Sequence, residues 1–164
     1  MNDKELMQKH VVESIFMSFK ENSCPLNDMC VYASYITRDL LREKYNLEAE
    51  VVAGELDFRP LGLEVVFRFN LPCEFHVWNK LNGEIIDIAA SNLTTREEFK
   101  SGRLSVHRNK PLNVVWEENP YDGRQYKEVL NGIKEIESPL NEPIYLELYT
   151  FASKKIDEWR KKFY

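Results

Sequence analysis

The stretch Phe75-His76-Val77-Trp78-Asn79-Lys80-Leu81-Asn82-Gly83-Glu84-Ile85-Ile86-Asp87-Ile88 reads as a β-hairpin. Asn82-Gly83 is the strongest short-range signal for a type I′ turn, because both central residues of that turn need positive φ. A two-residue turn pairs Leu81 with Glu84, and counting back along the strands pairs Trp78 with Asp87. Side chains alternate, so Phe75, Val77, Ile86 and Ile88 share an apolar face, expected to be the core, while His76, Trp78, Asp87 and Ala89 share the other. His76 and Asp87 become a diagonal cross-strand pair, at the roughly 7–8 Å backbone separation from which two polar side chains reach each other. A strand histidine beside a carboxylate is also the pattern of an ordinary surface ion pair. On the hairpin alone the ion-pair reading is the favoured one; Cys30 shifts the balance.

On the N-terminal side, residues 49–56 and 63–69 are short runs rich in Val, Leu and Phe, broken at Pro60-Leu61-Gly62 and Asn70-Leu71-Pro72. With residues 74–81 and 84–89 they are expected to form an antiparallel sheet. Before them, Met7, Val11, Ile15 and Phe19 fall at a four-residue spacing, one face of an amphipathic helix. The segment from Glu21 to Asp28 is rich in turn residues, with Asn27 or Asp28 placed to cap a second helix over about residues 29–45. Beyond the hairpin, Thr94-Thr95-Arg96-Glu97-Glu98-Phe99 reads as a short capped helix, residues 112–116 as a strand and residues 117–123 as an exposed loop. Leu148, Ala152, Ile156, Trp159 and Phe163 then mark one face of a C-terminal helix, with Pro143 near its start, expected to cover the sheet. The expected class is α+β: N-terminal helices and a C-terminal helix on an antiparallel sheet.

The chain has 164 residues and is 43% hydrophobic, enough for one domain with a real core and too short for two ordinary ones, so residues 1–164 are expected to form a single domain. Lys+Arg 22 against Asp+Glu 27 gives a net charge of −5, which argues against a general nucleic-acid or anionic-membrane surface. Lys154, Lys155, Arg160, Lys161 and Lys162 are read as a solvated helix end whose cations complement the dipole. The start Met1-Asn2-Asp3-Lys4-Glu5 lacks the pattern of a secretory signal, and no stretch approaches the roughly 18 apolar residues of a membrane span. The cytoplasm is the expected compartment. There, Cys24, Cys30 and Cys73 are expected to be reduced thiols.

Cys30 falls in the first turn of the second helix, where unpaired N–H groups and the helix dipole favour a thiolate over a thiol. Thiolate is the nucleophile. Ala33 and Ser34, three and four residues on, are small enough to let that helix face lie close against a strand and bring a histidine to the sulfur. Together, Cys30-Val31-Tyr32-Ala33-Ser34 opening a helix, Glu48-Ala49-Glu50-Val51-Val52-Ala53-Gly54 as the next strand, Phe75-His76-Val77-Trp78-Asn79 and Gly83-Glu84-Ile85-Ile86-Asp87 resemble the transglutaminase-like branch of the papain-like cysteine-enzyme superfamily. The likeness spans about residues 27–90 and lies in order, spacing and element type.

That resemblance implies a nucleophile helix packed on an antiparallel sheet, with Cys30 attacking a carbonyl, His76 as base and then acid, and Asp87 orienting the imidazole. The chemistry is acyl transfer through a thioester, by a peptidase, an amidase or a transglutaminase-like acyltransferase acting on a peptide or small acyl substrate without a cofactor. Family members supply a polar side chain to the oxyanion hole, often a Gln upstream of the cysteine; here that region offers only Asn22, Ser23 and Asn27, and a missing donor costs about 10²–10³ in rate. Asn27 and Trp78 are the candidate substrate-binding residues, Trp78 being equally readable as an aromatic that covers the sheet. A binding module that keeps the fold with a weakened site is the alternative from another class. Zinc held by Cys73, His76, Cys24 and Cys30 is a third, disfavoured because Cys24 and Cys30 do not form a close-spaced ligand pair. Cys24 and Cys73 are expected to pack as small buried hydrophobes.

Overall fold

In the computed structural model, which describes residues 1–137 and 140–162, every strand pairing is antiparallel. The strands are β1 (Glu50–Asp57), β2 (Val66–Phe67), β3 (His76–Leu81), β4 (Glu84–Asp87), β5 (Val115–Glu117) and β6 (Gln125–Glu128). β1 pairs with β3 through residues 50–54 and with the short β2 through Leu56 and Asp57, while β6 takes the opposite edge of β1. β4 and β5 extend the sheet beyond β3, giving an open sheet. The helices are α1 (Asp3–Glu21), α2 (Cys30–Tyr45), the single-turn α3 (Gly132–Glu135) and α4 (Glu142–Lys161).

The hairpin has the expected register, with Leu81 opposite Glu84 and Asn79 opposite Ile86, and Asn82 and Gly83 both take positive φ. Pairing runs Val52↔Trp78 and Gly54↔His76 on one side and Leu56↔Tyr126 on the other, which puts Trp78, His76 and Tyr126 on one face of the sheet. The expectation that only the other face is core is corrected. Both faces are covered. Leu81, Ile86 and Ile88 pack with Val11, Ile15 and Phe19 of α1, Ile36 and Leu40 of α2 and Leu148, Ala152 and Ile156 of α4. The His76 face lies under a second cluster of Leu56, Phe58, Leu63, Ala90, Leu93 and Phe99. That cluster comes from β1, from the segment that follows it (Phe58 and Leu63), and from 3₁₀ turns at Ala89–Thr95 and Glu97–Phe99, which replace the expected short helix and follow the end of β4 at Asp87.

α1 opens with a capping box, Asn2 accepting from the Glu5 N–H while the Glu5 carboxylate accepts from the Asn2 N–H. α2 lies on β1 and β3, its buried Ser34 carbonyl accepting from Asn79 Nδ2 at 2.9 Å, as the small residues at Ala33 and Ser34 led one to expect. α4 packs mainly against α1 and α2, and reaches the sheet through the buried cluster they share. Ser18 Oγ donates to the Leu148 carbonyl, Lys44 bonds Asp157, Tyr145 donates to Asp39, and Arg160 donates to the Lys44 carbonyl. An apolar stripe at helical spacing looks the same whether it meets a sheet or another helix. Phe163, expected on that stripe, lies outside the described residues. No described helix is long and apolar enough to cross a membrane.

Gly54 governs the edge where β6 docks. A Cβ built there would stand 2.0 Å from the Lys127 carbonyl oxygen and 2.9 Å from the Glu128 Cα, both backbone, so only glycine permits this approach. Gly54→Ala is expected to lower stability by about 1–3 kcal/mol through overpacking, measured by urea unfolding, with loss of hydrogen-exchange protection along β6; an unchanged midpoint would contradict this close approach.

Candidate active site

A strand, its hairpin partner and one helix end deliver the thiol, imidazole and carboxylate to one place. β3 begins at His76, β4 ends at Asp87, and α2 begins at Cys30. His76 Nε2 donates to Asp87 Oδ2 at 2.7 Å, with both residues at most 5% exposed. The surface ion-pair reading of the hairpin is thereby excluded. Cys30 lies near enough to His76 to interact with it electrostatically. With Nε2 committed to Asp87, Nδ1 is the ring nitrogen left to address the sulfur.

Asp87 is enclosed by donors. Oδ2 also accepts from the Tyr126 hydroxyl at 2.7 Å, and Oδ1 accepts from the Ala90 N–H at 3.2 Å. Burial works against the carboxylate, but the charge and hydrogen bond of His76, followed by the Tyr126 and Ala90 donors, hold it below its usual range. Burial likewise opposes the imidazolium. The Asp87 charge and hydrogen bond outweigh that, helped by Cys30, and push His76 up to about 10. Phe67 stacks on the imidazole at 5.7 Å between centroids and Trp78 lies beside it at 6.0 Å, both nearly parallel to it.

Cys30 and His76 line one cavity of about 430 Å³, shared with Asn27, Phe67, Cys73 and Arg96 among others. Its lining also includes Asp28, Glu74 and Glu98, and Arg96 pairs with Asp28 at 3.5 Å and with Glu98 at 3.1 Å. Asp57 and Arg59 pair with each other.

Several expectations about individual residues change. Neither Asn27 nor Asp28 caps α2: both belong to the 3₁₀ turn Leu26–Asp28, Met29 takes the cap position, and it makes no side-chain cap hydrogen bond. The first turn of α2 is thus left without a side-chain cap. Asn27 lines the cavity, but its Nδ2 donates to Thr95 Oγ1 at 2.5 Å, and its Oδ1 is buried without a partner among the described residues. Trp78 is 1% exposed and does not line the cavity, so it backs the imidazole and offers no platform to a ligand. Cys73 is exposed and lines the cavity with His76, contrary to the expected burial on the opposite side. It lies before β3 begins, in the turn closed by the Asn70–Glu74 bridge, where strand alternation does not apply. Cys24 lines a different hollow from Cys30, so the Cys₃His set is not assembled, and the described residues hold no group of at least three His, Cys, Asp or Glu side chains suited to a metal. The contribution of Tyr126 had no motif; the signal available was Gly54, a glycine inside a strand pattern, which marks a close backbone approach.

No protein-family model matches the chain, and no curated protein matches it. It is similar to a solved crystal structure described only as a genomics target, at 14% identity and a TM-score of 0.56, covering 94% of this chain and 79% of that one. At that identity the likeness concerns the fold alone.

The raised His76 pKa has a thermodynamic signature. Stability from the charged imidazole is fully present below about 6.5, its ordinary value, and is lost as pH rises through about 10. The stability that Asp87 contributes runs the other way, lost only as pH falls through its depressed value. Urea unfolding of the wild type is therefore expected to show falling stability from pH 6.5 to 10, and His76→Gln a flatter profile over that interval. Parallel profiles would show that His76 is not held charged.

Proposed function

We propose that this chain is a cysteine-dependent acyl-transfer enzyme, a hydrolase or acyltransferase of the transglutaminase-like, papain-like kind, with Cys30 as nucleophile, His76 as base and acid, and Asp87 as its orienting carboxylate. The observation that carries this reading is the 2.7 Å bond from His76 Nε2 to a buried Asp87, in a residue that shares one cavity with Cys30. A buried imidazole with a carboxylate on one nitrogen and a thiol at the other is the arrangement of an activated nucleophile. A purely structural histidine has no need of a helix-terminal thiol in an open cavity.

In this mechanism the Cys30 thiolate adds to the carbonyl carbon of an amide or ester, forming a C–S bond and a tetrahedral oxyanion. The uncapped first turn of α2 offers backbone N–H groups to that oxygen. Collapse breaks the bond to the leaving group, which takes a proton from His76, and leaves a thioester on Cys30. Water or an amine then attacks the thioester while His76 accepts its proton, and the thiolate departs. Asp87 stays ionised throughout and stabilises the imidazolium, as its depressed pKa favours.

One observation favours a second reading, a binding module with a weakened site: Asn27, the side-chain amide nearest in sequence to Cys30 on its N-terminal side, already spends an amide hydrogen on Thr95. Thiol reactivity separates the two. With iodoacetamide at neutral pH, and the modified residue located by mass spectrometry, Cys30 is expected to react ahead of the exposed Cys73, and His76→Ala to slow Cys30 by about tenfold or more. In an ester or amide screen, Cys30→Ala is expected to remove turnover. A Cys30 that reacts no faster than Cys73, indifferent to His76, would sink the enzyme reading and leave the binding module.

A further inference from the structure

The donor that completes the carboxylate comes from a strand that contributes nothing to the cavity wall. Tyr126 on β6 reaches across the sheet face, its ring edge-on to Trp78 at 5.1 Å, and its hydroxyl donates to the same Asp87 oxygen that binds His76. Tyr126 does not line the cavity of Cys30 and His76, so anything it does for a bound substrate passes through its neighbours, Asp87 by the hydrogen bond and His76 by a tilted ring contact at 6.4 Å. Arg124, two residues earlier and 2% exposed, is a buried cation at the same end of the sheet. It pairs with Asp122, donates to the Asn113 carbonyl at 3.1 Å, lies over the Phe58 ring at 5.2 Å, and interacts electrostatically with both Tyr126 and Asp87. The charged and titratable groups around Asp87 are thus His76 on β3, Tyr126 and Arg124 from the β6 edge, Asp122 behind Arg124, and Cys30 on α2 beyond His76. A buried carboxylate with donors on both oxygens cannot turn without breaking at least one bond.

We propose that Tyr126 is a positioning residue of the Cys30 site, clamping Asp87 in the orientation from which it holds His76, and that Arg124 supports the clamp as its buried counter-cation. The catalytic meaning of the clamp rests on Cys30 being the nucleophile, but the clamp itself has its own readout. Burial and the Asp87 charge push the Tyr126 phenol well above its ordinary range, so it remains a donor throughout the working pH range. The close approach at Gly54 carries β6, and therefore the hydroxyl, to its place.

The test follows the His76 ring resonances by ¹⁵N–¹H NMR as pH is lowered, with His76→Gln identifying the signals. In the wild type an acidic inflection marks protonation of Asp87. Tyr126→Phe removes a donor that favours the ionised carboxylate, so the inflection is expected to move up by about half a unit to one unit, the size of one hydrogen bond. Arg124→Gln is expected to shift it the same way. Replacing Tyr126 with 3,5-difluorotyrosine, a stronger donor that keeps the shape, is expected to shift it down, and this variant decides the matter if Tyr126→Phe does not fold. Alkylation of Cys30 in Tyr126→Phe is expected to slow about three- to tenfold near pH 5 while staying within about twofold of wild type near pH 8. An inflection unmoved by these changes overturns the clamp, even if Cys30 alkylation depends on His76. A moved inflection with His76-independent alkylation supports the clamp and removes the nucleophile reading instead.

Discussion

A carboxylate and an imidazole that have both left water face each other across a β-hairpin, 2.7 Å apart, and much of the molecule is arranged to make that tolerable. Taking either charge into the interior alone costs several kcal/mol, and the cost is offset only when the pair is close and its remaining hydrogen-bonding capacity is met. Here Ala90 meets part of it from the turn after β4, Tyr126 meets more from the sheet edge, and Phe67 and Trp78 keep water from the ring. The 3₁₀ turns that bury this face follow from the same need. Had the chain left β4 in an ordinary exposed loop, the pair would be a solvated contact of little energetic weight.

The opposite face of the sheet solves a simpler problem. α2 must lie close enough to β3 for its first residue to stand near the first residue of that strand, and Ser34 with Asn79 shows how it is held there: a side-chain amide on the strand donates to a backbone carbonyl of the helix. α1 and α4 then bury the outer side of α2. Position is set by helix-on-strand packing, and reactivity by what surrounds the other end of His76.

What could be read from the residues follows a physical divide. The hairpin register was legible because an Asn-Gly turn and strict alternation are local, and they placed His76 diagonally across from Asp87, on the same face, without any tertiary knowledge. α1 and α2 were legible from periodicity. The docking surface of α4, the burial of the His76 face and the whole of β6 were not, because each depends on what distant segments do. Gln125–Glu128 carries no apolar alternation of its own and is a strand only by virtue of pairing with β1. The cap at Asn27 failed for a related reason: a 3₁₀ turn ahead of the helix puts Met29 at the cap position and turns the Asn27 amide toward Thr95, contributed by a segment far along the chain.

The donors that converge on Asp87 come from positions 76, 90 and 126, and the last of these arrives on a strand that pairs only with β1, near the start of the sheet. On a ribosome, the hairpin emerges well before β6 does, and it waits with a partly satisfied carboxylate until nearly half as much chain again has been made. Closing so long a loop is slow relative to local turns and helices. The order of synthesis therefore acts as a timer: Cys30 and His76 are both made before β6, and the surroundings that define their relationship are completed only when Tyr126 arrives.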